Sequence, residues 1–171
     1  MAAAPTSDDA PTAAGPAWLS DDEQAAWRGL LRMTGALSTA LNRQLSTGAG
    51  LSLLDYGVLV ALAEAPTGRL RPYEVGHELG IEKSRLSHLL TRLVERHLVT
   101  RVPCPTDQRG WLIAITPTGR RALRGAAPDH VAAVRRLFID LLDGAQLAQL
   151  AGIAEAVLAG PPAAPAPSPP G

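Results

Sequence analysis

Cysteine is almost missing: Cys104 stands alone among 171 residues. No disulfide can therefore close within the chain, which accords with a reducing compartment. Lysine is as scarce, with Lys83 the one lysine beside 15 arginines, a bias that genome base composition explains as well as function does. No apolar run approaches the roughly 20 residues that a membrane span needs. The opening stretch MAAAPTSDDAPTAAGPAW lacks the basic start and apolar centre of a signal peptide, and acidic residues come early. A cytoplasmic protein is expected, with no membrane partner. The histidines His77, His88, His97 and His130 are scattered, without the close spacing of a zinc site, so no metal is expected. There is no phosphate-cradling glycine loop, no nucleophile elbow and no clustered carboxylate pair. An enzyme is thus the weakest reading, with no catalytic residue and no cofactor to name, and no internal repeat is visible.

The length suits one domain with a real core. Net charge is zero, but it is unevenly spread. From Arg69 to Arg124 there are 11 basic and 5 acidic residues, a balance of +6, and the remainder carries 5 basic and 11 acidic, a balance of −6. One basic segment in an acidic frame suggests a single polyanion-binding face. Ordinary solvated surface charge is the bland alternative.

That basic segment has a clear local pattern. From Glu82 to Arg96 the residues Leu86, Leu89, Leu90 and Leu93 fall within one narrow sector at helical spacing. Ser84, His88, Thr91 and Glu95 lie opposite, with Arg85 and Arg92 on one flank and Ser87 on the other. A helix docked by leucines and offering Arg, Ser, His and Thr outward suits the major groove, where base edges are read by hydrogen bonds. Before it, Pro72 fits the first turn of a short helix ending at Leu79, and Gly80 can supply the left-handed turn between the two. Ile81 is expected to plug between them. After it, Leu98–Val102 and Trp111–Ile115 read as short strands joined by the polar loop from Pro103 to Gly110, a hairpin. The whole stretch reads as a winged helix-turn-helix that binds DNA.

The flanks are helical. Ser20 and Glu23 form a capping-box pattern that opens a first helix, expected to run to about Leu45 and to be broken by Thr47, Gly48, Ala49 and Gly50. Ser52, with Asp55 three residues on, caps a second helix, apolar nearly all round from Leu53 to Ala63 and so expected at the buried centre. APTGRL follows as a loop. Thr116 and Pro117 start a long Arg-rich helix to about Leu142, with a kink or break expected at Pro128. A last helix is expected from Ala145 to Leu158, with Leu147, Leu150, Ile153, Ala154 and Leu158 on one face. Residues 1–17 and 160–171, rich in Ala and Pro, are expected to be unfolded tails.

This order of elements resembles the MarR family of bacterial winged-helix regulators. LSLLDYGVLVALAEAP is similar to that family's helix before the DNA-binding motif. GIEKSRLSHLLTRLVERHLVTR is similar to its recognition helix and first wing strand, and PTDQRGWLIAITPTGRRAL to its wing tip, second strand and next helix. The Asp–x–Arg tip and the Thr–Pro–x–Gly–Arg continuation occur together, which makes the match specific. The resemblance implies a mainly α fold with an α+β wing: residues 18–159 form a single domain, with 18–48 and 117–158 as dimerisation helices and 51–116 as the DNA-binding lobe. It implies a homodimer on a pseudo-palindromic double-stranded operator, acting as a repressor that a small aromatic or phenolic effector relieves. In such a dimer the recognition helices sit about one DNA turn, roughly 34 Å, apart. Apolar stripes on the long outer helices, more than a monomer of this size would cover, fit a partner surface.

For DNA contact the candidates are Lys83, Ser84, Arg85, Ser87, His88 and Arg92 on the helix, and Arg101, Asp107, Gln108 and Arg109 in the wing. Arg85 can pair bidentately with guanine, whereas Lys83 in the first turn is as well placed for phosphate. By resemblance, Asp107 orients Arg109 toward the minor groove, where negative potential attracts arginine. Arg101 and Gln108 add phosphate contacts. The alternatives are solvated helix residues and a plain surface hairpin. Trp27, Arg28, Leu31 and Tyr56 are candidates for the effector cavity, though they read equally well as core residues. Cys104 near Arg101 and Arg109 allows a redox-responsive regulator, but a partly buried wing cysteine is preferred, and His130 is expected at the surface. A winged helix serving only protein interaction would lack groove-reading residues; Arg85, Arg92 and Arg109 argue against it.

Overall fold

The computed structural model describes residues 18–105 and 107–160, with Gln108 and Arg109 described at the backbone alone. The expected tails, 1–17 and nearly all of 160–171, lie outside the described residues. The chain divides into two compact units, one ending at Ala36 and one starting at Leu37. Helix α1, Asp21–Ala49, contributes to both.

Ser20 and Glu23 cap α1 reciprocally, the Glu23 N–H donating to Ser20 Oγ and the Ser20 N–H to Glu23 Oε2 at 2.7 Å. The helix ends later than Leu45, passing through Gly48 to Ala49 before it stops at Gly50. One glycine inside a helix costs only about 1 kcal/mol relative to alanine, too little to break it when the neighbouring turns are intact. Helix α2, Leu53–Glu64, starts at the expected cap: Asp55 N–H donates to Ser52 Oγ and Ser52 N–H to Asp55 Oδ2. Val58, Leu59 and Leu62 are fully buried, so α2 is the centre of its unit as the all-round apolar pattern predicts.

The loop expected around Arg69 is in part a strand. Arg69–Leu70, β1, pairs antiparallel with β3 (Asp107–Ile115), whose other neighbour is β2 (Val99–Cys104). Two residues have no period to read, and their pairing is with a strand more than 40 positions later in the chain. Both wing strands also run further toward the tip than expected. Val99 to Pro103 pair in register with Ile115 to Trp111, after which Cys104 pairs with Asp107. Gln108, Arg109 and Gly110 are thus three extra residues on β3 between these last two pairs. Pro103 does not end its strand because β2 is an edge strand, where a missing N–H is tolerated.

Between β1 and β2 lie α3 (Pro72–Leu79) and α4 (Lys83–Glu95). Gly80 sits in the left-handed region at φ 60°, and the Ile81 N–H reaches back to the Gly76 carbonyl at 2.9 Å, closing the tight turn. Ile81 packs half-buried on the core. Leu86, Leu89, Leu90 and Leu93 of α4 are all buried against the cluster that holds Leu45, Leu51, Leu59, Leu62, Val75 and Ile113. At roughly 1.5–3 kcal/mol per buried leucine, before ordering costs, that stripe is ample to dock the helix.

Helix α5, Pro117–Leu137, follows. Thr116 Oγ1 accepts from the Gly119 N–H at 3.0 Å and lies 2.7 Å from the His97 carbonyl oxygen, tying the helix start to the end of α4. Gly119 has a second reason to be glycine: a Cβ there would stand 2.1 Å from the Leu98 carbonyl oxygen. The Thr–Pro–x–Gly spacing is thus a cap, a helix start and a close approach in four residues. Pro128 lies inside α5 without the break that was one of the two expected outcomes; the helix runs on for nine more residues. It ends at Phe138, followed by a 3₁₀ turn, Ile139–Leu141. Helix α6, Gly144–Leu158, is capped by Asp143 and Gln146. None of its residues is buried, and Ile153, Val157 and Leu158 are largely exposed.

Candidate nucleic-acid interface

With its leucines turned into the core, α4 presents Lys83, Ser84, Arg85, Ser87, His88 and Arg92 to solvent, all exposed. Lys83 and Arg85 have no ion-pair partner among the described residues. Their cationic ends are therefore available to an external anion. Arg92 is different. Its Nη2 donates to Asp55 Oδ1 at 2.6 Å, and Asp55 also takes Arg96 Nη1 on its other oxygen at 3.2 Å. The Asp55 side chain is only 3% exposed, while Arg92 remains half open to solvent. Arg96 also donates from Nη2 to the Gly50 carbonyl at 2.8 Å. Arg92, expected among the base readers, thus has a partner inside the protein. A buried acid was hidden in the sequence by its second role, because Asp55 at the third helical position reads fully as a capping residue.

Among the described residues, two arginines tie the wing to the helices. Arg101, expected at phosphate, lies with its guanidinium 4.5 Å from the Trp111 ring centroid and 3.3 Å from Thr91 Oγ1 of α4. Arg71, at the cap of α3, donates from Nη1 to Asp107 Oδ2 and from Nη2 toward Cys104 Sγ, both at 3.1 Å. The bond to Asp107, with the acid beside it, holds the Arg71 guanidinium more firmly protonated than usual. Arg71 was not legible as a wing residue, since it lies 36 positions from Asp107. The expected pairing of Asp107 with Arg109 involves a side chain outside the described residues, as does the role of Gln108. Cys104 is buried, with Arg71 beside its sulfur.

The effector candidates sit as follows. Trp27 and Leu31 are about half exposed on α1, and Arg28 bonds to Gln24 one turn away. Tyr56 is half-buried on α2 with its ring centroid 4.4 Å from that of His130. His130, expected at the surface, is half-buried: it packs on Tyr56, with Nδ1 3.4 Å from Gln44 Oε1. Burial lowers the His130 pKa and raises that of Tyr56. No group of three or more His, Cys, Asp or Glu that could hold a metal occurs among the described residues, and no single described helix is long and apolar enough to cross a membrane.

Two helices joined by a tight glycine turn, a polar and basic second helix, and a three-stranded wing packed on it define a winged helix-turn-helix protein. A sequence model of the MarR family matches residues 49–110. Among solved structures, Sco3205, a MarR family transcriptional regulator from Streptomyces coelicolor solved in complex with DNA, is 39% identical. The match covers 90% of this chain and 97% of that one, with a TM-score of 0.81. AbsC, a MarR family transcriptional regulator from the same organism, is also 39% identical, with 84% and 99% covered and a TM-score of 0.76. CouR from Rhodococcus jostii RHA1, solved bound to p-coumaroyl-CoA, is 29% identical, with 82% and 95% covered and a TM-score of 0.70. A search of curated protein sequences finds no match. The chain belongs to the MarR family of transcriptional regulators.

Proposed function

We propose that two copies of this chain bind a pseudo-palindromic DNA operator and repress transcription, and that a small acid with an aromatic group relieves the binding. The observation that carries the DNA reading is the first half of α4, where Lys83, Ser84, Arg85, Ser87 and His88 are exposed and Lys83 and Arg85 have no ion-pair partner among the described residues, set on a leucine stripe and braced by the wing. In each copy Arg85 reads a base, Ser84, Ser87 and His88 complete the contact, and Lys83 takes phosphate. Arg109, oriented by Asp107, enters the minor groove, and Gln108 adds a backbone contact. The exposed apolar faces of α6 and of the first half of α1 are covered by the second copy. A DNA-bound relative and a relative bound to an aromatic acyl thioester support the two halves of this reading.

The test is a gel-shift titration against the chain's own promoter region with random competitor DNA. Sequence-selective binding is expected. Equal affinity for both DNAs would sink the regulator reading. Adding p-coumarate or its coenzyme A ester should weaken the complex, and variants at Trp27, Arg28, Leu31 and Tyr56 report which positions govern that response. A ligand acts only if it binds the two conformations with different affinity.

A further inference from the structure

The basic residues of α4 are not equivalent. Lys83 and Arg85, in its first turn, have no ion-pair partner among the described residues, whereas Arg92 and Arg96, toward its end, share one buried carboxylate. Asp55 is held in place from three sides: by the Ser52 N–H, by Arg92 and by Arg96. Arg96 is in turn tied to the Gly50 carbonyl. One carboxylate shared by two arginines offsets half of their charge, and the short contact draws the Arg92 guanidinium toward the protein. We propose that Asp55 is a positioning residue for DNA recognition: it withholds Arg92 from the nucleic acid, so that α4 reads with its first two turns, from Lys83 to His88.

This rests on the DNA-binding reading above and assigns a charge-limiting role within it. A polyanion attracts every uncommitted arginine regardless of sequence. A free Arg92 on each copy would therefore strengthen random binding more than specific binding. By holding Arg92, Asp55 keeps the sequence-independent part of the affinity low. A purely structural carboxylate predicts the opposite sign, since its loss would weaken both kinds of binding.

The experiment is a double-mutant cycle on the full-length protein, reading affinity for promoter and random DNA across a salt series. Asp55→Asn should tighten random binding and steepen the salt dependence by about one unit per copy, because each new phosphate contact releases about one counterion. Adding Arg92→Ala to that variant should return the slope to the wild-type value. Arg92→Ala alone should leave the wild-type slope unchanged, an arm that decides the matter even if Asp55→Asn does not fold. A flatter slope for Arg92→Ala alone would overturn the proposal, because Arg92 would then already contact phosphate. An unchanged slope for folded Asp55→Asn would overturn it as well. A wild-type protein with no sequence preference would instead remove the DNA reading itself.

Discussion

Arg85 and Gly119 show how much a single position carries, one through an exposed charge and one through the lack of a side chain. Arg85 projects from the first turns of α4 with no ion-pair partner among the described residues. Replacing it with alanine should cost roughly 1–3 kcal/mol of specific binding and relax preference at one base position. Competition titrations with single-base operator variants check this; an equal loss on random DNA would mark a phosphate contact instead. At Gly119 even a methyl group would meet the Leu98 carbonyl oxygen at 2.1 Å, and backbone atoms cannot swing aside as a side-chain end can. Gly119→Ala should lower stability by about 1–3 kcal/mol through overpacking, measured by urea unfolding. Thr116→Ala, which removes the cap of the same helix, should cost about 1 kcal/mol.

At the scale of elements, the recurring device is an arginine that joins pieces distant in sequence. Arg71 joins the start of α3 to the wing, Arg101 joins β2 to α4 and Trp111, and Arg96 joins the end of α4 to the α1–α2 connection. The wing is thus tied to the helix-turn-helix through side chains from both. The contact of α5 with α2 rests in part on His130 and Tyr56, and it carries a pH dependence. Burial lowers the folded-state pKa of His130 below its unfolded value near 6.5. The unfolded chain then takes up the proton first, so this contribution is intact above about pH 6.5 and is lost as pH falls through the lower folded value. Stability should thus drop more steeply between pH 7 and 5 in the wild type than in His130→Gln, as thermal melts across that range would show. A matching slope in both proteins would refute a role for this histidine.

For the whole molecule, the exposed apolar helices set the outcome. Ile153, Val157 and Leu158 leave α6 without a covered face, and Trp27, Leu30 and Leu31 do the same on the first half of α1. Under the proposed homodimer, Ile153→Asp combined with Val157→Asp should shift sedimentation from dimer to monomer. Operator affinity should fall by far more than the change in any one DNA contact, because a two-fold device binds two half-sites about one turn apart and a monomer binds one. Sedimentation as a dimer in the doubly charged variant would move the interface elsewhere.

What the sequence by itself determined is what repeats locally. The leucine period of α4, the capping pairs Ser20–Glu23 and Ser52–Asp55, the Gly80 turn and the exposed Arg, Ser and His face all lie within a few turns of one chain segment. Local spacing decides backbone geometry and which side faces in. Tertiary structure alone decided where the charges go. Asp55 became the anchor for two arginines some 40 residues away, Arg71 became part of the wing, His130 was taken in against Tyr56, and Arg69–Leu70 became a strand edge. An ion pair or a two-residue strand leaves no period in the sequence, since its partner is supplied only when distant elements pack. The helix that reads was therefore visible at once, while the acid that limits how it reads was not.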